Sequence, residues 1–419
     1  MLGILHKLVD DVVRTQALRV TDAHGKTHLF GTERSDIPTP HVRVNARAER
    51  NIALDPSLKL AEAYMDGDLE MLEGDIYDLL RAVLCDVARV EEMHPRLNAL
   101  LRVRGAMYRM LDRNGLTRAR QNVAHHYDLS TELYELFLDE DRQYSCAYFP
   151  TSDTDLDTAQ TLKKRHIAAK MHLNREGLEV LDIGCGWGGM ARYLAGTAGA
   201  RVKGVTLSTE QHAYATARSA ELGYGDRTEY ELKDYRTLQR DFDRIVSVGM
   251  FEHVGKTQYD TFFNKVAELL RPDGVMLLHT IGNAGPPAPT APFIRKYIFP
   301  GGYIPTLDQI AAAAQRAGLY MTDVENLRLH YAMTLRNWRQ RFLARWDDAA
   351  RLYDERFCRM WDFYLAASEA AFRWRGQVVY QVQLTHQRDA VPLTRNYIAQ
   401  AEARLAEAEE RLEPQRITG

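Results

Sequence analysis

The chain has 419 residues, with 54 Lys and Arg against 57 Asp and Glu for a formal charge of -3, and 45% of its residues are hydrophobic. That length divides into two or three domains and buries a sizeable core, which excludes a hormone-sized or disulfide-stapled peptide. The composition is that of a folded globular chain, and the near-neutral balance offers no net positive field to a nucleic-acid partner.

The opening MLGILHKLVDDVV places acids directly after a short apolar stretch, with no small-residue cleavage signal behind it, so a secretory segment is not expected. No run reaches the roughly 18 apolar residues of a membrane span. Cys85, Cys146, Cys185 and Cys358 lie far apart and form neither CxxC pairs nor a compact ligand series. A reducing, cytoplasmic setting is the simplest expectation, and no metal site is predicted.

Residues 1–115 combine a strand candidate, HVRVN, with helical apolar spacing in LKLAEAYMDGDLE and GDIYDLLRAVLCDVARV, and they read as a smaller amino-terminal module. Charge within it is segregated. Residues 60–80 hold seven acids and no Lys or Arg, whereas residues 95–125 hold seven arginines and only Asp112 as an acid. In this second stretch Leu101, Met107, Tyr108 and Leu111 sit among the basic residues, which fits either a solvated linker or a patch facing phosphate groups. Arg102, Arg104, Arg109, Arg113, Arg118 and Arg120 are the candidates for an anionic lipid surface. Aromatic interleaving of the kind that stacks nucleic-acid bases is missing.

From residue 178 short apolar strands alternate with amphipathic helices: LEVLDIG, MARYLAGTAG, RVKGVTL, TEQHAYATARSAELG, TEYEL and DFDRIVSV. After TQYDTFFNKVAELL, the Pro272-Asp273-Gly274 turn leads into the strand candidate VMLLHTIG. The expected fold is α/β, a doubly wound and mostly parallel sheet with helices on both faces, over residues 116–395. Residues 283–308 are too rich in Pro and Gly to continue that rhythm. They read as a connector, or as an apolar lid through Phe293, Ile294, Tyr297, Ile298 and Phe299. Helical NWRQRFLARW and FCRMWDFYLAASEAAF, the strand candidate VVYQVQLTH, and a charged terminal helix within residues 396–419 complete the chain.

The sharpest generic signal is VLDIGCGWGG at residues 180–189, a glycine loop between strand and helix. Its spacing completes neither a dinucleotide GxGxxG pattern nor a P-loop, but it permits backbone to approach a nucleoside-containing cofactor closely. LDIGCGWGG resembles the S-adenosylmethionine loop of class I methyltransferases. Together with NVAHHYDLSTELYELFLDEDRQYSCAYF, GVTLSTEQ, VGMFEHVG, HTIG, IFPGGYIP, HYAMTLRNW and FCRMWDFYL, it resembles the cyclopropane-fatty-acyl-phospholipid synthases. EAYMDGDLEMLEGDIYDLL is similar to the amino-terminal module of the bacterial enzymes.

The resemblance implies transfer of a methylene unit, derived from the methyl of S-adenosylmethionine, to a cis double bond in a phospholipid acyl chain. It places Asp182, Gly184, Cys185, Gly186, Trp187 and Gly188 around the cofactor, with Tyr144 and Ser145 as a further contact. Thr206, Leu207, Ser208 and Gln211 match the next binding segment, and Asp234 and Tyr235 the adenine side. The end of RVKGVTL lacks the acid that often grips the ribose in class I methyltransferases; Thr206 and Ser208 offer neutral groups instead. A bicarbonate cluster that supplies the base carries onto Cys146, Glu252, His279 and Tyr331, with Glu252 orienting His279 or another donor. Phe149, Tyr297, Phe299, Tyr303, Trp338, Trp361 and Phe372 are candidates for the acyl side or for the core. The resemblance also implies a homodimer and transient contact with the inner face of the cytoplasmic membrane, without nucleic acid. The alternatives are a fatty-acyl C-methyltransferase that leaves a branched chain and a noncatalytic lipid-binding protein.

Overall fold

The computed structural model describes residues 1–86 and 129–416. The Arg-rich segment, with its proposed lipid contacts, lies outside the described residues, as does the junction expected at residues 115 and 116.

The larger sheet has seven strands in the order β10-β11-β9-β8-β5-β6-β7. These are β5 (Glu179–Ile183), β6 (Arg201–Thr206), β7 (Thr228–Leu232), β8 (Phe242–Val248), β9 (Leu270–Asn283), β10 (Tyr320–Asn326) and β11 (Gln377–Thr385). Strands β9, β8, β5, β6 and β7 pair in parallel, while β11 runs antiparallel between β9 and β10. This is the doubly wound, mostly parallel sheet expected from the alternating pattern, with one reversed strand. EVLDI and FDRIVSV are almost wholly buried because helices cover both faces. Strand β9 departs from expectation at its start: pairing jumps from Phe242↔Leu270 to Arg244↔Val275, so the Pro-Asp-Gly turn is a bulge within the strand.

A second sheet, in the order β2-β1-β3-β4, is built from β1 (Leu18–Thr21), β2 (Thr27–Phe30), β3 (His41–Val44) and β4 (Leu69–Glu73). The helical spacing read through LKLAEAYMDGDLE ends earlier than its pattern implies. Helix Pro56–Asp66 stops at Gly67, whose φ of 75° closes it in the left-handed region, and the following residues enter β4. The apolar face of this sheet, with Val20, Val42, Val44 and Leu69, belongs to one core with Trp338 and Trp361. Those two rings sit on helices His330–Ala344 and Glu355–Trp374 of the larger domain.

Among the described residues, the acidic stretch finds partners in the larger domain. Glu62 meets Lys296 at 2.7 Å, Asp66 meets Arg356 at 2.8 Å, and Asp75 meets Arg339 at 2.9 Å, so three of its acids tie the small sheet's module to the larger domain. Arg339 also holds Asp362 at 2.6 Å, and Asp362 accepts from the Tyr64 hydroxyl at 2.8 Å. At the other end, helix Asn396–Arg416 lies on helix Leu156–Lys170, where Glu402 meets His166 at 2.7 Å and Glu409 meets Arg165. Among the described residues no helix is long and apolar enough to cross a membrane.

The two carboxylates on Arg339 differ in exposure, 48% for the Asp75 side chain and 4% for Asp362. Asp362→Ala, which leaves a buried guanidinium short of its partner, is expected to cost about 3–5 kcal/mol. Asp75→Ala is expected to cost about 1 kcal/mol or less. Urea unfolding of both variants checks the difference, and equal losses would contradict it.

Candidate active site

A continuous cavity of about 1990 Å³ runs from the carboxyl ends of β5, β6 and β8 into the interior of the small sheet's module. Its polar end is formed by the glycine loop. Gly184, Gly186 and Gly188 have φ values of 79°, 54° and 80°, a run that L side chains rarely adopt. A Cβ at Gly184 would meet Met250 at 2.7 Å and one at Gly188 would meet the Tyr230 hydroxyl at 2.7 Å, whereas one at Gly186 would project into open space. The loop therefore presses its outer glycines into the protein and turns the middle one toward the cavity.

Of the residues assigned to the cofactor, Tyr144, Ser145, Asp182, Gly184, Cys185, Gly186, Trp187, Thr206, Leu207, Gln211, Asp234 and Tyr235 line this cavity. Gly188 and Ser208 do not. Gly188 stands behind the loop as the N-cap of helix Gly189–Thr197, and Ser208 caps helix Thr209–Glu221 through the Gln211 N–H. Thr206 donates to Gln211 Oε1 at 2.8 Å, which leaves Gln211 Nε2 buried without a hydrogen bond. Asp182 Oδ2 is likewise buried and unbonded. These orphaned atoms and the opening at Gly186 fit a nucleoside carrying an amino-acid tail, because they supply an unspent donor, an unspent acceptor and room for close approach. The Asp234 carboxylate, at the cavity's edge, accepts from Arg236 at 2.9 and 2.6 Å.

Cys146, Glu252, His279 and Tyr331, far apart in sequence, all border the cavity. Cys146 is buried, and burial pushes its thiol far above the usual range, so it is a thiol and no nucleophilic anion. Glu252, on the turn after β8, accepts from the Ile281 N–H at 2.6 Å while its Oε2 is unbonded. Burial raises its carboxyl to about 7, against the opposing pull of that N–H. Of the two partners expected for Glu252, His279 or another donor, the structure shows the second, the Ile281 N–H. Gln381, directly opposite His279 in the β11–β9 register, donates to His279 Nδ1 at 3.2 Å. That bond leaves the proton on Nε2, which is buried and unpartnered, and burial holds the ring well below its ordinary pKa as a neutral donor. Tyr331 stands edge-on to Trp338 and near Phe372, and burial pushes its phenol upward.

Among the aromatic candidates, Phe299, Tyr303 and Phe372 border the cavity, and Phe149, Tyr297, Trp338 and Trp361 do not. Trp338 and Trp361 are core rings packed on Phe137. Tyr297 instead donates to Glu62 at 2.9 Å, beside the Lys296 ion pair. Residues 286–294 and 302–304 of the Pro-rich segment line the cavity; of the five residues named for an apolar lid, Phe293, Ile294 and Phe299 border it and Tyr297 and Ile298 do not. Beyond the cavity's chemical end, its walls are Leu5, Val13, Val20, Val42, Leu79 and Leu80 of the amino-terminal module. Sequence reasoning missed Gln381, His253, Tyr364 and Lys163. A polar residue at a core position of the apolar run VVYQVQLTH was the available signal for Gln381; His253 and Tyr364 lie inside motifs already noted. No group of His, Cys, Asp or Glu suited to a metal occurs among the described residues.

The family model described as mycolic acid cyclopropane synthetase matches residues 114–382. The chain is 41% identical over 333 residues to the cyclopropane-fatty-acyl-phospholipid synthase of Escherichia coli (strain K12), covering 80% of this chain and 84% of that one. It is 38% identical over 346 residues to the tuberculostearic acid methyltransferase UfaA1 of Mycobacterium tuberculosis, covering 79% of each. The structure of mycolic acid cyclopropane synthase CmaA1 complexed with SAH and CTAB aligns with a TM-score of 0.60 at 34% identity, over 63% of this chain and 97% of that one.

The raised Glu252 carboxyl sets a pH dependence of stability. A carboxyl held above its ordinary 4.5, at about 7, contributes fully below pH 4.5, and its contribution is lost as pH rises to about 7. Relative to wild type, Glu252→Gln is expected to gain stability across that window, by at most about 3 kcal/mol. Urea unfolding at about pH 4.5 and 7.5 measures it; a stability difference between the two proteins that does not change with pH contradicts it.

Proposed function

The chain belongs to the mycolic acid cyclopropane synthetase family, and on that premise we propose that it is a cyclopropane-fatty-acyl-phospholipid synthase acting on membrane lipid. It transfers a methylene unit derived from S-adenosylmethionine to an unsaturated fatty-acyl chain, forming a cyclopropane ring. The observation that carries the phospholipid reading is a continuous cavity that joins the glycine-loop pocket to a long aliphatic arm.

S-adenosylmethionine, when bound, supplies an electrophilic methyl. Gly184 and Gly186 would receive it, Asp182 Oδ2 and Gln211 Nε2 would bond to it, and Asp234 with Tyr235 would border its adenine. An alkene is a weak nucleophile, so the protein's work is alignment and exclusion of water. Phe299 and Phe372 supply aromatic faces to the positive charge that develops on the acyl chain. Ring closure then requires loss of a proton from the added carbon. Bicarbonate, when bound, supplies the acceptor. His279 Nε2–H and the Tyr331 hydroxyl would hold that anion, and Glu252, with its carboxyl at about 7, can add a third donor in its protonated form. The reading puts the enzyme in the cytoplasm, meeting the inner face of the membrane through an anionic-lipid contact.

Purified protein given S-adenosylmethionine and liposomes with cis-monounsaturated chains is expected to yield cyclopropane lipid by mass spectrometry and NMR. The rate is expected to rise with anionic lipid and fall with salt. A methyl-branched product would instead support the C-methyltransferase reading, which the similarity to UfaA1 keeps open. His279→Ala is expected to lower kcat at least about 100-fold while S-adenosylhomocysteine affinity changes less than about twofold, and removal of bicarbonate is expected to slow the wild type. Unchanged kcat in His279→Ala contradicts the proposed base site.

A further inference from the structure

Lys163 is fully buried on helix Leu156–Lys170, and it does not line the cavity. Its ammonium lies 2.6 Å from Gln143 Oε1 and 2.8 Å from Ser145 Oγ, both neutral groups. One helical turn earlier, Gln160 Nε2 donates to the carbonyls of Gln143 at 3.2 Å and Ser145 at 3.0 Å. Helix Leu156–Lys170 thus grips from behind the peptide run that presents Tyr144, Ser145 and Cys146 to the cavity.

The polarity of these bonds has a direct consequence. An ammonium only donates, so Ser145 Oγ and Gln143 Oε1 must accept from it. The Ser145 hydroxyl hydrogen and the Gln143 amide hydrogens are then aimed away from Lys163. Gln143 Nε2 faces the start of helix Gly189–Thr197, where a Cβ on Gly189 would stand 2.3 Å from it. Both residues line the cavity beside the glycine loop. Two oriented donors with a buried cation behind them form a receptor for a small anion, strengthened by the low dielectric around it. Burial draws the Lys163 ammonium down to about 7, opposed by Asp139, as befits a cation short of counter-charge.

With the adenine side at Asp234 and Tyr235, beyond the glycine loop, the amino-acid end of the cofactor falls at residues 143–145. We propose that Lys163 is a positioning residue that orients Ser145 and Gln143 as donors and thereby sets affinity for the α-carboxylate of the cofactor's amino-acid portion. This rests on the cofactor reading above and adds to it a buried determinant of which part of the ligand is recognised.

The test compares S-adenosylhomocysteine with 5′-methylthioadenosine, which keeps the nucleoside and thioether but lacks the amino-acid group. By calorimetry on the full chain, Lys163→Met is expected to weaken S-adenosylhomocysteine at least about tenfold and 5′-methylthioadenosine less than about twofold. In turnover, the KM for S-adenosylmethionine rises while kcat at saturation falls less than about threefold. Equal weakening of both ligands, or of neither, overturns the proposal. Thermal unfolding reports whether Lys163→Met folds; if it does not, Ser145→Ala carries the same ligand comparison and decides by the same criterion. Wild-type protein that binds neither ligand would overturn the cofactor reading itself, a separate result.

Discussion

Ionisable groups buried beside an apolar cavity, with few opposing charges, are the constraint on which the rest of this structure depends. Burial raises Asp182 and Glu252 to about 7, lowers His253 to about 4 and Lys163 to about 7, and holds His279 neutral. Each shift penalises the charged form because burial removes it from solvent, and the Lys163 ammonium is held against that penalty by Asp139. Oriented dipoles and aromatic faces are what stabilise positive charge in a site of this kind. The same low polarity suits an aliphatic chain, so the chemistry and the substrate make one demand on the fold.

The scaffold meets that demand by converging separate elements on the ends of the parallel strands. The reversed strand β11 sets Gln381 opposite His279, and the sheet register thereby chooses the histidine's tautomer. Helices His330–Ala344 and Glu355–Trp374 bring Tyr331 and Tyr364 to the cavity, and the Tyr364 hydroxyl lies 2.8 Å from that of Tyr144. The amino-terminal sheet docks on the same two helices through Asp75, Arg339, Asp362 and Tyr64, and its aliphatic interior continues the cavity. The interface that joins the module to the larger domain therefore also completes the cavity.

Charge illustrates how far linear reading reaches. The acidic stretch is visible as a segment, but the residues its acids meet are not. Glu62, Asp66 and Asp75 in fact pair with Lys296, Arg356 and Arg339, all more than 200 residues away. Short-range charge counting has no access to partners brought near by a shared core. In the same way, the helical spacing in LKLAEAYMDGDLE ran past Gly67 because periodicity does not register a left-handed cap.

What the sequence by itself determined is the sheet-and-helix alternation, the glycine loop and the family to which the motifs belong, because apolar periodicity and glycine placement act over a few neighbouring residues. It also offered Cys146, Glu252, His279 and Tyr331 as candidates through the motifs that carry the resemblance, and all four border the cavity. Only the tertiary structure decided which candidates face the cavity: it turned Trp338 and Trp361 into core, made Ser208 a helix cap, and set Gln381 against His279. It also set Lys163, a residue with no local motif, behind Ser145. Those assignments depend on burial and on contacts across strands and helices, which arise when distant segments share one desolvated interior.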